Sequence, residues 1–273
     1  MELDIIKDEE IELLLEDVSA LYGYDFSQYS RASLKRRLNR ICVVDKFASF
    51  AELRYRVIND SSYLQRFVEE ITVNVTEMFR DPNFYKKLRT DILPLLGTYP
   101  FIRIWVAGCS TGEEAYSIAI LLQEVNLAHK ALIYATDINP SVIEKASKGI
   151  FPLRTMKLYS ENYINSGGVK DFSSYYTAMY DVVKFQSGLS DRILFSTHNL
   201  VSDSSFNEFQ LILCRNVLIY FDKDLQNKVF SLFDGSLQKL GYLALGDKET
   251  LRFSSLQDRY KQIQKHKIWQ KSN

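Results

Sequence analysis

An apolar run, a short glycine-containing loop and an acidic helix start constrain the fold of this chain more than any other feature. Residues 101–107 are rich in β-branched and aromatic side chains and are interrupted only by Arg103. This composition is typical of a strand buried on both faces of a parallel sheet. A loop at residues 108–112 follows. Glu113 and Glu114 then lie in a predicted first helical turn, where the helix dipole favours carboxylates.

The two glycines of this loop, Gly108 and Gly112, would let a ligand approach the backbone closely. Their G-x-x-x-G spacing differs from the dinucleotide pattern G-x-G-x-x-G. It is not a P-loop either, because no Gly-Lys-Ser/Thr follows. The strand, loop and helix therefore predict either a site for a nucleotide-like cofactor or an ordinary turn between a strand and a helix.

The composition is typical of a globular protein of one or two domains, with 46% hydrophobic and 25% charged residues in 273. No apolar run reaches the length of a membrane span, and the acidic N-terminus does not resemble a signal peptide. The cysteines and histidines show neither a disulfide pattern nor metal-ligand spacing; they are Cys42, Cys109, Cys214, His129, His198 and His266. We expect a cytoplasmic protein without a structural metal.

The first 75 residues predict a small all-helical domain, with helices at residues 7–22, 30–43, 47–59 and 62–73. The charged residues of the second helix are all basic, since no acid occurs among residues 26–44. A charged helix face is usually solvated. Here no acid four residues away relieves the repulsion, so the alternative is that this face receives an acidic partner. A net formal charge of zero argues against nucleic acid as that partner.

Residues 71–81, ITVNVTEMFRD, lie between the helical region and a helix expected to start at Asp81-Pro82. Asn74, Thr76 and Arg80 are the conspicuous polar residues of this segment. Two interpretations remain open. The segment is either a linker with routine caps, or a hinge whose side chains face a cleft between domains.

Polar residues follow the other predicted strands, which lie at residues 131–135, 193–196 and 209–214. The residues are Asp137, Asn199, Arg215 and Asn216. Because the carboxyl ends of parallel strands meet at one edge, these residues and the glycine loop are expected to form a single ligand site, here called the rim. Asp137 could accept both hydroxyls of a ribose or cap the next helix, and we favour the ribose role.

Residues 150–192 interrupt the alternation of strand and helix. The aromatic and β-branched segment at 171–186 follows Gly167-Gly168 and predicts a β-hairpin-like insertion. Such an insertion either covers a sheet edge or forms a partner-binding patch. A helix at 222–240 and strands at 242–245 and 260–269 are predicted to complete a mostly parallel sheet.

Nearly the whole chain resembles the CheR-type chemoreceptor methyltransferases, which are protein-glutamate O-methyltransferases that use S-adenosylmethionine. The resemblance rests on pieces that occur in the family's order: YSRASLKRRLNR, ITVNVTEMFRD, IWVAGCSTGEEAYSIA, ATDIN, GIFP, HNL and CRNVLIYFD. It implies a Rossmann-like α/β fold, the class I methyltransferase domain, at residues 96–273. It also implies an all-α domain at 1–75, a junction at 76–95 and a small β-subdomain inserted at roughly 155–190.

The resemblance implies cofactor-binding residues in the junction and at the rim, namely Asn74, Thr76, Arg80, Gly108, Glu114, Asp137, Asn199, Leu200, Arg215 and Asn216. Among them, Glu114 would bind the amine of the methionine part and Asp137 the ribose. Asn199 and Leu200 would hold the adenine.

The resemblance also implies residues for catalysis and for the protein substrate. Tyr220 lies near the transferring methyl group in the family, and we expect Arg80 to anchor a carboxylate. The acidic methylation helix of a receptor would bind to the basic helix through Lys35, Arg36, Arg37 and Arg40. The expected partner is a methyl-accepting chemoreceptor or a similar helical sensor, with membrane contact only through that receptor. We expect a monomer that binds no nucleic acid.

The chain departs from the family pattern in three places. Met78 replaces a usual Phe, and residues 246–249 read Gly-Asp-Lys-Glu where Gly-His-Ser-Glu is common. The hairpin region also differs from forms that dock a receptor tail pentapeptide, so such docking is not assumed. Two other functions remain open: a methyltransferase acting on another substrate, and a signalling adaptor that only binds the cofactor.

Overall fold

The computed structural model describes residues 6–263 and 267–272. His266 and part of the strand predicted at 260–269 lie outside the described residues. The chain divides into two compact units. One consists of Met1–Asn74 with Leu218–Val229, and the other of Val75–Val217 with Phe230–Asn273. Among the described residues, no helix combines the length and apolar character that crossing a membrane requires.

The first unit is built from helices, as predicted: α1 Asp8–Tyr22, α2 Arg31–Val44, α3 Phe50–Asn59 and α4 Ser61–Ile71. Local capping explains where two of them begin. The Ser49 hydroxyl accepts a hydrogen bond from the N–H of Glu52 at 3.2 Å, and the Asp60 carboxylate accepts one from the N–H of Ser62 at 2.9 Å. Apolar side chains at helical spacing, such as Leu34 and Leu38 of α2, are fully buried.

A short segment from much later in the chain also belongs to the first unit. The N–H of Ser30 donates to the carbonyl of Tyr220 at 2.7 Å, and Tyr29 forms an antiparallel bridge with Phe221. The rings of Tyr29 and Phe221 lie 5.0 Å apart. Since these bonds join residues far apart in the chain, no local pattern predicts them. They fix the segment that carries Tyr220 beside the start of α2.

The second unit contains a seven-stranded and a three-stranded sheet. The strands are β1 Ile102–Ala107, β2 Ala131–Asp137, β3 Ile150–Pro152, β4 Tyr176–Met179, β5 Val182–Phe185, β6 Ile193–Thr197, β7 Phe209–Cys214, β8 Leu237–Leu245, β9 Tyr260–Gln262 and β10 Ile268–Lys271. The larger sheet has the order β6-β2-β1-β7-β8-β10-β9. Its first five strands pair in parallel and β10 is antiparallel to both neighbours, which confirms the predicted, mostly parallel sheet.

The remaining helices flank these strands: α5 Pro82–Lys87, α6 Leu93–Leu96, α7 Glu113–Glu124, α8 Pro140–Lys148, α9 Met156–Asn165, α10 Ser187–Ser190 and α11 Lys223–Ser236. A π-helical turn, Leu88–Ile92, connects α5 to α6. The predicted strand–loop–helix corner is confirmed, because β1 is followed by the loop and by α7. Every residue from Glu113 to Leu122 in α7 is buried, so this helix packs within the core of the second unit.

Two predictions near the C-terminus are wrong. The helix predicted at 222–240 ends at Ser236, because Leu237 pairs with Phe209 in the sheet and this pairing overrides the local helical pattern. The single strand predicted at 260–269 is two antiparallel strands, β9 and β10, with Trp269 opposite Gln262. The first error concerns pairing between residues distant in sequence, whereas β9 and β10 are near neighbours in the chain.

The predicted hairpin is confirmed by β4 and β5, which pair antiparallel, while β3 pairs with the other edge of β5. The start of the predicted segment differs, since Phe172–Tyr175 is a 3-10 helix. The buried carboxylate of Glu124 connects this region to α7. It accepts hydrogen bonds from the hydroxyls of Tyr163 and Tyr175 and from the Arg89 guanidinium.

Candidate functional site

The glycine loop requires glycine at both of its predicted positions. Gly108 has a φ of +78°, and a Cβ atom there would lie 2.4 Å from Cγ2 of Val217. Gly112 has a φ of +97°, and its Cβ would lie 2.9 Å from the Cβ of Ala146. Both positions combine a left-handed backbone with a close neighbour, so other residues would be strained and crowded. The loop is held to the second strand by the N–H of Gly108, which donates to the carbonyl of Thr136 at 2.8 Å.

Asp137 ends β2 and faces the glycine loop. Its Oδ2 atom accepts a hydrogen bond from the N–H of Ser110 at 2.9 Å, and Oδ1 accepts one from the N–H of Asn139 at 3.1 Å. Burial raises the pKa of Asp137, although these N–H groups oppose the shift. The cap of α8 is provided by Asn139, which accepts from the N–H of Ser141 at 2.9 Å. Each oxygen of Asp137 retains a lone pair for a ligand hydroxyl.

Arg215, directly after β7, is the centre of a buried ion-pair network. Its Nη1 donates to Oε1 of Glu114 at 2.8 Å, and its Nη2 donates to Oδ2 of Asp81 at 2.7 Å and to the carbonyl of Arg80 at 3.0 Å. The guanidinium lies 4.1 Å from the ring centroid of Phe84. Burial alone would lower the pKa of Arg215, but the charge of Glu114 raises it, so this side chain stays cationic.

Glu114 is oriented by two donors on the same oxygen. Besides Arg215, the Tyr85 hydroxyl donates to Oε1 of Glu114 at 3.2 Å. Burial raises the pKa of Tyr85 well above its ordinary value, which keeps this hydroxyl a donor. Within the described residues, Oε2 of Glu114 receives no hydrogen bond. The carboxylate is therefore fixed, buried and open on one oxygen, which suits recognition of an amine.

The segment after Arg215 is braced by a distant carboxylate, that of Glu249. Its Oε2 accepts from the N–H groups of Asn216 at 3.0 Å and Gly246 at 2.6 Å, and its Oε1 accepts from the N–H of Val217 at 2.8 Å. Within the loop at 246–249, Gly246 and Glu249 make these contacts. They are also the two residues that match the Gly-His-Ser-Glu pattern. The intervening pair, Asp247 and Lys248, is exposed.

Asn199 and Leu200 follow β6. The Asn199 side-chain oxygen accepts from the N–H of Val201 at 2.9 Å and forms a tight turn. Leu200 is buried. The N–H of His198 donates to the carbonyl of Asp137 at 3.0 Å, so this turn and Asp137 lie at the same edge of the sheet. The structure thus brings the predicted rim residues together at the ends of adjacent strands.

Several buried polar atoms at the rim lack a partner within the described residues: Ser110 Oγ, Asn139 Nδ2, His198 Nδ1 and Arg215 Nε. They belong to segments that follow β1, β2, β6 and β7 respectively. Buried polar groups are normally hydrogen-bonded, and their exceptions concentrate where a ligand or water completes the site. The donor set therefore fits a ligand that carries an amine, hydroxyls and a planar ring with polar atoms, as S-adenosylmethionine does.

The junction residues divide between the two units. Asn74, in the first unit, donates from Nδ2 to the carbonyl of Glu69 at 3.2 Å. Thr76 and Arg80, in the second unit, are half-buried. Phe79 and Asp81, on either side of Arg80, have positive φ angles of 52° and 60°. Such backbone strain is common in ligand sites, where the surrounding structure maintains it.

The basic helix α2 differs from the prediction in its electrostatics. Lys35 pairs with Asp8 of α1 at 3.0 Å, while Arg37 and Arg40 both pair with Glu70 of α4. The prediction that nothing relieves the repulsion on this helix is therefore wrong, because acids on neighbouring helices balance these charges. Burial alone would raise the pKa of Glu70, but hydrogen bonds from arginines lower it. Arg36 is exposed, and the described residues provide it with no ion pair.

Sequence reasoning missed three residues that shape the rim: Asp81, Tyr85 and Glu249. Asp81 was expected only as a helix start. It does occupy the N-cap of α5, but its carboxylate makes no capping bond and pairs with Arg215 instead. The sequence features that could have drawn attention to Asp81 and Glu249 were the Asp81-Pro82 step and the Gly246–Glu249 pattern. Neither indicates a partner so far away in the chain.

Two family models match this chain, one for each of its two predicted domains. The model of the CheR methyltransferase all-alpha domain matches residues 9–72, and that of the CheR methyltransferase SAM-binding domain matches residues 74–268. A Pseudomonas putida protein named as the methyltransferase Cher3 is 45% identical over 97% of each chain. A chemotaxis protein methyltransferase of Listeria monocytogenes is 31% identical, covering 84% of this chain and 85% of that one. One of Salmonella typhimurium is 32% identical, covering 82% and 75%.

The two domain matches together span nearly the whole chain. The chain therefore belongs to the CheR methyltransferase family and is an S-adenosylmethionine-dependent methyltransferase, with a class I α/β domain, an inserted β-subdomain and an all-α N-terminal domain.

Proposed function

We propose that this enzyme methylates glutamate side chains of a chemoreceptor, or of a similar helical sensor protein, to give glutamyl methyl esters. The observation that carries the cofactor half of this proposal is the buried Glu114 carboxylate, fixed by Arg215 and open on Oε2. The acceptor half is supported by relatives that are named chemotaxis protein methyltransferases. The cationic α2 helix, with its exposed Arg36, adds charge complementarity to an acidic helix.

In this proposal, the carboxylates of the rim recognise the cofactor. Glu114 binds its amine through Oε2, and Asp137 accepts the ribose hydroxyls through the free lone pairs of its oxygens. Gly108 allows close approach to the backbone. The adenine lies against Asn199 and Leu200.

The remaining cofactor-binding roles are assigned to residues after β7 and in the junction segment. Arg215 acts mainly through Glu114, since its Nη groups are occupied by protein acceptors. Asn216 contributes to the rim beside it. Asn74, Thr76 and Arg80 contribute from the junction segment.

The chemistry requires alignment more than proton transfer. A glutamate side chain has a pKa of about 4.3 in solution and is already a carboxylate nucleophile at neutral pH, so no general base is needed. When bound, S-adenosylmethionine supplies a methyl group on a positively charged sulfonium. The protein holds the acceptor oxygen in line with that methyl group and excludes water, which is worth several kcal/mol.

Two residues are proposed to act at the reacting groups. Arg80 anchors a carboxylate. This residue is half-buried, and the described residues provide its guanidinium with no ion pair or hydrogen bond. Tyr220 orients the line between the methyl group and the acceptor oxygen. The carbonyl of Tyr220 is bonded to the N–H of Ser30, at the N-terminus of α2.

The acceptor helix is proposed to bind along α2 through Lys35, Arg36, Arg37 and Arg40. Arg36 and Arg40 are exposed, whereas only 18% of the Arg37 side chain is. We therefore assign the direct charge contacts chiefly to Arg36 and Arg40. Lys35 and Arg37 also hold α2 to its neighbouring helices.

The organisation and cellular setting are part of the same proposal. The domains are taken as 1–75, a junction at 76–95, and 96–273 with its insertion at roughly 155–190. The enzyme acts in the cytoplasm as a monomer and meets the membrane only through its receptor. It has no nucleic-acid substrate.

The test combines a transfer assay with a binding assay. Radiolabelled S-adenosylmethionine is incubated with receptor-enriched membranes, and the labelled residue is mapped by mass spectrometry. S-adenosylhomocysteine binding is titrated in parallel. The proposal requires label on glutamate, released by alkali as methanol. Binding without transfer would identify a signalling adaptor instead, and label on nucleic acid or a small molecule would identify another substrate class.

The Arg80→Ala variant tests the assignment at the reacting groups. Loss of the guanidinium should lower methyl transfer and cofactor affinity, because no other cation replaces it. The matched control is Arg154→Ala, since Arg154 is exposed in the same unit. Full transfer and unchanged affinity in Arg80→Ala would remove Arg80 from the mechanism.

A further inference from the structure

We propose that Glu249 is a positioning residue for the cofactor. Its carboxylate fixes the backbone of Asn216 and Val217, and the Val217 side chain in turn packs against Gly108. Two independent observations carry this inference. One is the set of backbone hydrogen bonds on a buried carboxylate, and the other is the close packing of Val217 on the glycine loop. The inference concerns only the cofactor site, so it does not depend on which acceptor is methylated.

The carboxylate of Glu249 ties the end of β8 to the segment that follows β7. It is buried, with 4% of the residue exposed. Its Oε2 accepts the N–H groups of Asn216 and Gly246 at 3.0 and 2.6 Å, and Oε1 accepts that of Val217 at 2.8 Å. Hydrogen bonds to an ionised acceptor are roughly twice as strong as neutral ones. This side chain therefore satisfies backbone donors on both loops at once.

The segment after β7 needs such support. Asn216 has a positive φ of 62°, a conformation that a residue other than glycine keeps only when its surroundings enforce it. Arg215 directly precedes it and places its guanidinium on Glu114. A change in the backbone at Asn216 would therefore move the anchor of the Glu114 carboxylate as well.

Val217 transmits the position of this segment to the glycine loop. A Cβ atom on Gly108 would lie 2.4 Å from Cγ2 of Val217, so the Val217 side chain lies directly against the Gly108 backbone. The N–H of Val217 is the group that Oε1 of Glu249 holds. The carboxylate thus sets how closely Val217 covers the loop where the cofactor approaches the backbone.

The same geometry explains which residues of the 246–249 loop are constrained. A Cβ atom on Gly246 would lie 2.9 Å from both the backbone nitrogen of Asn216 and Oε2 of Glu249. The close contacts among Gly246, Glu249 and Asn216 therefore leave no room for a side chain at position 246. Asp247 and Lys248 are exposed and make no part of this arrangement.

The test is the affinity of the full chain for S-adenosylhomocysteine in the Glu249→Gln variant, measured by calorimetry. The substitution keeps the size of the side chain but replaces one accepting oxygen with an NH2 group, which faces backbone donors. We expect at least tenfold weaker binding, and a higher KM for S-adenosylmethionine with kcat less affected at saturation. The matched control is Asp234→Asn. Asp234 is a buried carboxylate of the same unit whose partners are Tyr260, Arg259 and Lys271.

The control separates positioning from general stability. Both variants should lower the melting temperature, but only Glu249→Gln should weaken S-adenosylhomocysteine binding. Near wild-type affinity in a folded Glu249→Gln protein would overturn the proposal, whatever its melting temperature. Should Glu249→Gln fail to fold, Glu249→Asp keeps the charge and shortens the reach by one methylene. Unchanged affinity in a folded Glu249→Asp protein would also overturn it. If the enzyme methylates a different acceptor from the one proposed, these binding results are unaffected.

Discussion

Nη1 of Arg215 donates a 2.8 Å hydrogen bond to Oε1 of Glu114, although the two residues are separated by 101 positions in the chain. Through Nη2, the same guanidinium holds Asp81 and the carbonyl of Arg80. One buried side chain thereby joins the junction, the first turn of α7 and the end of β7. The network fixes the Glu114 carboxylate, which is the group proposed to bind the cofactor amine.

Arg215→Lys should break this support. A lysine ammonium cannot reproduce the two-pronged donor geometry of a guanidinium, so at least one buried carboxylate loses its partner. We expect the free energy of unfolding to fall by about 3 kcal/mol and the affinity for S-adenosylhomocysteine to fall at least tenfold. Urea unfolding and calorimetry measure the two effects. Arg154→Lys, on an exposed arginine, should change stability by less than about 0.5 kcal/mol. Wild-type affinity in Arg215→Lys would contradict the supporting role.

Gly108→Ala should destabilise the enzyme through two separable causes. The new Cβ would meet Val217 at 2.4 Å, and a φ of +78° is unfavourable for alanine. The second cause alone costs on the order of 1 kcal/mol. We expect S-adenosylhomocysteine binding to be abolished or strongly weakened. A Gly108→Ala/Val217→Ala double variant should recover the steric part of the stability loss but not the backbone part. Thermal melts of the single and double variants would show this, and equal stability of the two would refute the packing argument.

Features of the fold that depend on local pattern were predictable from the sequence. The apolar run at 101–107, its glycine loop and the acidic helix start gave β1, the loop and α7, because burial and helix-dipole preferences act within a few residues. The start of β8 at Leu237 was not predictable, since it depends on pairing with Phe209. The association of Tyr220 with Ser30 is of the same kind.

The candidate site shows the same limit. The strand ends predicted that their polar residues cluster, because strand direction alone brings those ends to one edge. The residues that fix their geometry, Asp81 for Arg215 and Glu249 for Asn216, were missed because each partner lies far away in the chain. On α2, the prediction considered only acids of the same helix. It therefore missed Asp8 and Glu70 on neighbouring helices.

Glu113→Gln should stabilise the enzyme at neutral pH. Burial raises the pKa of Glu113, although hydrogen bonds from Thr111 and Tyr159 oppose the shift. A raised folded-state pKa means that the contribution of this carboxyl to stability is present below about pH 4.3 and is lost as pH rises through the folded-state value. Glutamine stays neutral and avoids that loss. The stability advantage of the variant should therefore grow from pH 4.5 to pH 7.5, by about 1.4 kcal/mol for each unit of pKa shift.

Urea unfolding at both pH values measures this difference. The control is Glu144→Gln, on an exposed carboxylate paired with Lys148. The hydrogen bond and charge of Lys148 lower the pKa of Glu144, so its contribution is lost as pH falls and its small trend should have the opposite sign. A Glu113→Gln advantage that does not change with pH would show that the carboxyl is not destabilised by burial.

The neighbouring arginines Arg36 and Arg37 should separate substrate binding from stability. Arg36 is exposed and has no ion pair within the described residues, whereas Arg37 lies 3.6 Å from the buried carboxylate of Glu70. Arg36→Ala should raise the KM for the receptor several-fold and leave S-adenosylhomocysteine affinity and melting temperature unchanged. Arg37→Ala should lower the free energy of unfolding by about 1 kcal/mol, because a buried carboxylate loses one of its cations.

Methyl-transfer kinetics and thermal melts on both variants test this contrast. Raising the salt concentration should reduce the difference in receptor KM between Arg36→Ala and wild type, because screening weakens exposed charge contacts. Arg40 and Arg66 still hold Glu70 in Arg37→Ala, so that variant should stay folded. If Arg36→Ala methylates the receptor with wild-type KM at low salt, the acceptor does not bind along this face of α2.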